Sequence, residues 1–162
     1  MRVTGWSQRS IAIVVAATVP GPPDVVWRLI TDWERQGEWM LEARDFVITS
    51  AHREGTGVEA EASVRIGGIS TRDRIRVTGW NPPRRLSLEH VGWVSGSGDL
   101  LLIPVGARET RVVWREALCA PRLGPLGWLG PVGWLGLLLF RPLMRRIFRR
   151  DLRVLADVVA RA

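Results

Sequence analysis

Val58–Thr78 reads VEAEASVRIGGISTRDRIRVT. Val58, Ala60, Ala62, Val64 and Ile66 alternate with Glu59, Glu61, Ser63 and Arg65. Period two with one apolar and one charged face is the pattern of a half-buried strand. Gly67-Gly68 supplies the flexible pair that a tight hairpin turn needs. After it, Ile69, Thr71, Asp73, Ile75 and Val77 share one face, and Ser70, Arg72, Arg74, Arg76 and Thr78 share the other. The arginine row is the solvent face. Two antiparallel strands with one wet face are therefore expected here.

The hairpin extends in both directions. Downstream, Asn81-Pro82-Pro83-Arg84 turns the chain, and a fifth strand points Leu86, Leu88 and His90 inward. Gly92–Gly98 reads as a Gly- and Ser-rich connection, Asp99–Val105 as a sixth strand and Thr110–Leu118 as a seventh. Upstream, Arg44–Ala51 is a second strand and Ser10–Ala17 a first. Between them Pro22, Pro23 and Asp24 suit a helix start, and Val25, Val26, Trp27, Leu29 and Ile30 follow helical spacing. A second short helix over Trp33–Met40 is limited by Gly37. Strand, two short helices, six strands and a terminal helix make an α+β layout of one curved sheet with helices on one face. One domain over residues 1–162 is expected, with 1–9 as a tail.

Composition narrows the function classes. The chain is 46% hydrophobic and 24% charged, as globular domains are. Its net charge of +7 is carried by Arg alone among Lys and Arg. On the middle strands those arginines alternate with apolar residues and accompany no recognition motif, so no nucleic-acid partner is expected. Cys119 is the single cysteine, which excludes an internal disulfide and a Cys-based zinc site. With His52 and His90 as the only histidines, no metal and no cofactor is expected. Ile11–Val19 resembles the apolar core of a leader, but its Ile and Val content favours a strand. A cytoplasmic protein, at most peripheral to a membrane, is the expectation. Oligomeric state is not readable.

The chain resembles the START-related, polyketide cyclase/dehydrase and lipid-transport superfamily (SRPBCC), which has the helix-grip fold. The resemblance is carried by Pro23–Asp32, the following Trp33–Trp39, Gly55-Thr56-Gly57, the strand–turn–strand Val77–Leu88, Thr110–Glu116 and Asp151–Leu155. It implies a seven-stranded curved antiparallel sheet wrapped around a long C-terminal helix. An apolar ligand cavity then lies between them, lined by Trp39, Ala60, Ala62, Val64, Ile75 and Leu88, then Leu100, Leu102, Val112 and Trp114. Met144, Ile147, Phe148 and Leu152 share one stripe of the last helix and would close it. The ligand class implied is a lipid, a polyketide or an isoprenoid quinone.

No nucleophile elbow, phosphate loop or zinc-protease motif is present. What remains is an inward polar set. By strand parity Asp73, His90 and Glu116 share the face of Ile75, Leu88 and Trp114. The Asn81–Arg84 turn places His90 opposite Ile75 and diagonal to Asp73, within reach of long side chains. Such a pair either orients a ligand's polar end or moves protons, as a cyclase-type enzyme would require. For Glu116, near its strand's end, the alternative is that it faces solvent. The primary expectation is a non-enzymatic binder or carrier.

Residues 121–141 are the least ordinary stretch. Gly124–Leu129 and Gly130–Leu135 repeat Gly-Pro-x-Gly-Trp-Leu, which suits two short turns, with the terminal helix starting at Pro142. Leu123–Phe140 as one helix would span about 27 Å, just short of a bilayer core. Residues 121–141 are expected to form an apolar Gly/Pro/Trp flap over the pocket mouth; alternatively Trp128 and Trp134 beside Arg145 and Arg149 suit docking on a partner or on an anionic membrane surface.

Overall fold

The computed structural model describes residues 10–92, 95–119 and 130–162; for residues 130–134 and 137 it describes the backbone alone. Seven antiparallel strands form one sheet: β1 (Ser10–Pro20), β2 (Ala43–Ile48), β3 (Glu59–Ile66), β4 (Ile69–Asn81), β5 (Arg85–Val91), β6 (Ser95–Gly106) and β7 (Glu109–Cys119). Their order is β1-β7-β6-β5-β4-β3-β2. The chain is a meander from β2 to β7, with β1 laid along β7. Helix α1 (Pro23–Ile30) and a 3-10 helix (Trp33–Glu38) follow β1, and α2 (Gly130–Arg161) ends the fold. This is the α+β helix-grip architecture.

The Val58–Thr78 pattern becomes the β3–β4 hairpin, with Ala62 opposite Asp73 and Ile66 opposite Ile69. On its wet face Arg74 and Arg76 bond Glu61 and Glu59 across the strands. Exposed pairs of this kind add at most about 1 kcal/mol each. Their larger effect is to exclude a one-residue slip, which would bury that whole row. The apolar segment Ile11–Val19 pairs with β7 along its length. Its Ile11, Ile13, Val15 and Val19 are buried.

Helix α1 starts as its prolines dictate. Pro23 fills the first turn, Asp24 sits where the helix dipole favours an acid, and Thr31 Oγ1 donates to the Trp27 carbonyl at the C-terminus. Its buried face, Val26, Trp27, Leu29 and Ile30, packs over β6 and β7. Trp27 meets Trp80 edge to face at 5.1 Å. The end of the sheet under α1 is therefore solid core.

Two expectations about element limits need correction. Residues 95–98 are not a connection but the start of β6, held between Leu88–Val91 and Glu116–Cys119. Two flanking strands outweigh the weak strand preference of Gly and Ser. The terminal helix starts at Gly130 instead of Pro142. Pro142 lies inside the helix, on an exposed face where water can meet the carbonyl it leaves unpaired. The first hexad, 124–129, lies outside the described residues.

Helix α2 works as two halves. In the C-terminal half Phe148, Leu152, Leu155 and Val159 recur at helical spacing and are buried. In the N-terminal half Leu135, Leu139, Phe140 and Leu143 are exposed. No described helix is long and apolar enough to cross a membrane.

Candidate functional site

Between the sheet's concave face and α2 lies a cavity of about 500 Å³. Its floor is closed by Ile30, Trp33, Trp39 and Leu86, all buried. Toward the β3–β4 turn its lining becomes half-exposed or exposed, through Val64, Ile66 and Thr71 to Ile69 and Phe140. That end is the mouth. Three aromatic rings form one wall: Trp114 stacks on Phe148 at 4.3 Å and receives Trp39 edge-on at 5.9 Å. The Trp39 indole N–H is buried and has no hydrogen-bond partner among the described residues.

Most of the expected lining is found there. Trp39, Ala62, Val64, Ile75, Leu88, Leu100, Trp114, Met144 and Phe148 border the cavity, together with His90 and Asp73. Ala60, Leu102, Val112, Ile147 and Leu152 do not: all five pack into the core. Strand parity selects a face but not a position along it, and α1 covers the far end of that face. Lining that strand parity missed includes Gln36, Met40 and Glu42, outside the strands, and Phe46, inside the irregular stretch of β2. Of the expected membrane contacts, Arg145 and Arg149 are exposed on α2. Trp128 and the Trp134 side chain lie outside the described residues.

The polar groups gather at His90. Ile75 pairs with His90 as expected, though through a register shift between Val77 and Gly79 and not from the turn, which pairs Asn81 with Arg85. His90 Nδ1 contacts Asp73 Oδ2 at 2.8 Å and its Nε2 contacts Glu116 Oε2 at 3.2 Å. Trp114 Nε1 donates to Glu116 Oε1 at 2.7 Å. Glu116 is thus buried within the site, on the face where strand parity put it, and the alternative that it faces solvent is corrected. Burial alone would lower the His90 pKa; hydrogen bonds to Asp73 and Glu116 and their charges outweigh it and raise the pKa to about 10. At neutral pH His90 is an imidazolium that donates both N–H groups to carboxylates.

A glycine makes this triad possible. Glu116 sits on β7 and His90 on β5, with β6 between them. The β6 residue opposite Glu116 is Gly98. A Cβ there would lie 2.5 Å from Glu116 Oε1 and 2.8 Å from Leu88 Cδ1. Gly98→Ala is therefore expected to push the Glu116 carboxylate off His90, at a cost of about 1–3 kcal/mol. An NMR titration would show the His90 pKa falling below that of the wild type. An unchanged titration would refute the role given to Gly98.

A second buried cluster borders the floor. Arg150 Nη2 donates to Glu42 Oε2 at 2.7 Å and to Asp151 Oδ1 at 3.0 Å. Burial, then the hydrogen bond to Asp151 and its charge, push the Glu42 pKa up to about 8 against the pull of Arg150. Among the described residues no group of His, Cys, Asp and Glu is arranged to hold a metal ion.

Comparison with known proteins gives a family and a fold. The family model described as polyketide cyclase/dehydrase and lipid transport matches residues 10–160. No curated protein matches the sequence. Among solved structures, the Zhui aromatase/cyclase from Streptomyces sp. R1128 is similar at a TM-score of 0.78 and 19% identity, covering 94% of this chain and 95% of that one. TTHA0849 from Thermus thermophilus is similar at a TM-score of 0.75 and 21% identity, covering 93% and 97%. At these identities the likeness speaks to fold.

Proposed function

The chain belongs to the polyketide cyclase/dehydrase and lipid transport family, and on that premise we propose that it binds one hydrophobic small molecule between its sheet and α2. The observation that carries this reading is the cavity itself. A hollow of about 500 Å³ is the size that encloses a single drug-sized molecule. Its walls are mainly apolar, so burial of the ligand's apolar surface supplies affinity at about 25 cal/mol per Å². The Trp39 N–H, lacking a protein partner among the described residues, fits a ligand carbonyl or ether oxygen; the Asp73 carboxylate, which lines the cavity, fits a hydroxyl. A lipid, a polyketide or an isoprenoid quinone meets this description. Titration with the neutral fluorophore N-phenyl-1-naphthylamine tests it: saturable binding at one molecule per chain is expected, and none at all would contradict the proposal.

The second reading, a cyclase-type enzyme using His90 and Asp73, draws support from the triad. With both ring nitrogens donating, His90 has no free lone pair near pH 7, so in this reading it acts as an acid and not as a base. A cyclisation assay in which His90→Gln retains full turnover would end it.

The mouth suits loading at an anionic membrane surface. Leu135, Leu139 and Leu143 lie on one helical stripe at 51%, 71% and 39% exposure, and Ile69, which lines the mouth with Phe140, is 60% exposed. Exposed arginines 141, 145, 146 and 149 flank that stripe. Vesicles of phosphatidylcholine with phosphatidylglycerol are expected to float the protein, and Leu135→Asp with Leu139→Asp to abolish flotation. Equal flotation of wild type and variant would count against it.

A further inference from the structure

The ligand reading leaves the second buried cluster unused. Glu42 borders the cavity from the linker between the 3-10 helix and β2. Its side chain is 7% exposed, and that of Asp151 is fully buried. From α2, Arg150 and Asp151 face it. From β3, the Arg65 backbone amide donates to the Glu42 carbonyl at 2.8 Å and fixes the linker to the sheet. Arg150 satisfies one oxygen of each acid. The other Asp151 oxygen, Oδ2, is buried with no partner among the described residues. Both acids bond the same guanidinium nitrogen, Arg150 Nη2, which holds the two carboxyl groups side by side. One guanidinium offsets one of two buried negative charges, and burial favours a proton on the second acid.

The position of the cluster gives that proton a role. Among the described residues, the side chains of α2 make two hydrogen-bonded links to the rest of the fold. Arg141 Nε donates to the Ala12 carbonyl on β1 at 3.0 Å. Arg150 holds Glu42 on the opposite side, where the helix has few other contacts. We propose that Glu42 and Asp151 hold one proton in common and that this proton latches α2 over the cavity, so that its loss speeds ligand release. The proposal rests on the reading of the cavity as a ligand site. With the proton gone, two buried carboxylates face one guanidinium, and their repulsion is relieved by moving α2 away from Glu42. The same burial that holds the Glu42 pKa up at about 8 makes this step accessible in mildly alkaline solution. His90, held at about 10 by Asp73 and Glu116, stays charged through it.

The test is the dissociation rate of N-phenyl-1-naphthylamine from the full chain between pH 6 and 9. The wild type is expected to release the probe roughly tenfold faster at the upper end. Glu42→Gln should release it slowly at every pH, because its amide donates to Asp151 without titrating. Asp151→Asn serves equally if the first variant fails to fold. A flat wild-type profile, or the same rise in the variant, overturns the latch. If the probe does not bind at all, the cavity reading fails, and melting of the ligand-free protein still decides the shared proton. A raised carboxyl pKa contributes stability that is full below the unfolded value of 4.5 and is lost as pH rises through about 8. The wild-type melting temperature should fall over that window and the variant's should not; a flat wild-type curve overturns the shared proton.

Discussion

His90→Ala is expected to lower the melting temperature at pH 7 by roughly 6–12 °C. The substitution removes the cation that two carboxylates share and leaves Asp73 and Glu116 facing each other across an empty site. Breaking a buried ion pair from one side costs about 3–5 kcal/mol. The lower end applies here, because the Asp73 side chain is 24% exposed and water can reach it. A cost of about 3 kcal/mol corresponds to roughly 2–4 °C per kcal/mol in a chain of this length. The pH dependence has a definite sign. The folded-state pKa of His90, about 10, lies above its ordinary value of 6.5. Its stabilisation is therefore complete below about 6.5 and is lost as pH rises through about 10. The gap between wild type and variant should shrink over that window. A gap independent of pH would mean that His90 contributes only by packing.

Ala62→Trp should leave the protein folded and empty it of ligand. Ala62 is a buried β3 residue opposite Asp73, and it lines the cavity. A large side chain in a close-packed core costs about 1–3 kcal/mol through strain. Here the indole enters a hollow of about 500 Å³ instead. The expected result is a melting temperature at or above that of the wild type, with probe affinity at least a hundredfold weaker. A variant that unfolds would show that the wall around Ala62 is closed. One that binds as well as the wild type would show that the ligand lies elsewhere.

The architecture was legible because it is written in local patterns. Period-two alternation through Val58–Thr78, broken by Gly67-Gly68, sets the β3–β4 register. His90 comes opposite Ile75 through a register shift between Val77 and Gly79 that the Asn81–Arg84 turn does not signal. From parity alone Asp73 and His90 share a wall, and their hydrogen bond follows. Parity put Glu116 on the same face, but its contact with His90 was not visible because it depends on a third strand. Only when β6 runs between β5 and β7, and only because it presents Gly98 there, does the carboxylate reach the imidazole. Residues Gly92–Gly98 read as loop by composition, so the element that completes the triad was the one least visible as a strand. The Glu42–Arg150 pair, 108 positions apart, carries no local signal. A linker carboxylate and a helix arginine look like ordinary surface residues until α2 is laid across the sheet. The start of α2 was missed for a related reason. Either Pro131 or Pro142 can occupy a first helical turn, and the choice between them rests on what precedes the helix and what it packs against.

The central claim is that this chain encloses a hydrophobic small molecule, and mass spectrometry of an organic extract tests it most directly. Wild type and Ala62→Trp would be purified side by side without detergent and extracted identically. The cavity account predicts one apolar compound in near-stoichiometric amount from the wild type and none from the variant. The same compound in equal amount from both, or none from the wild type together with no binding of the neutral probe, would contradict it.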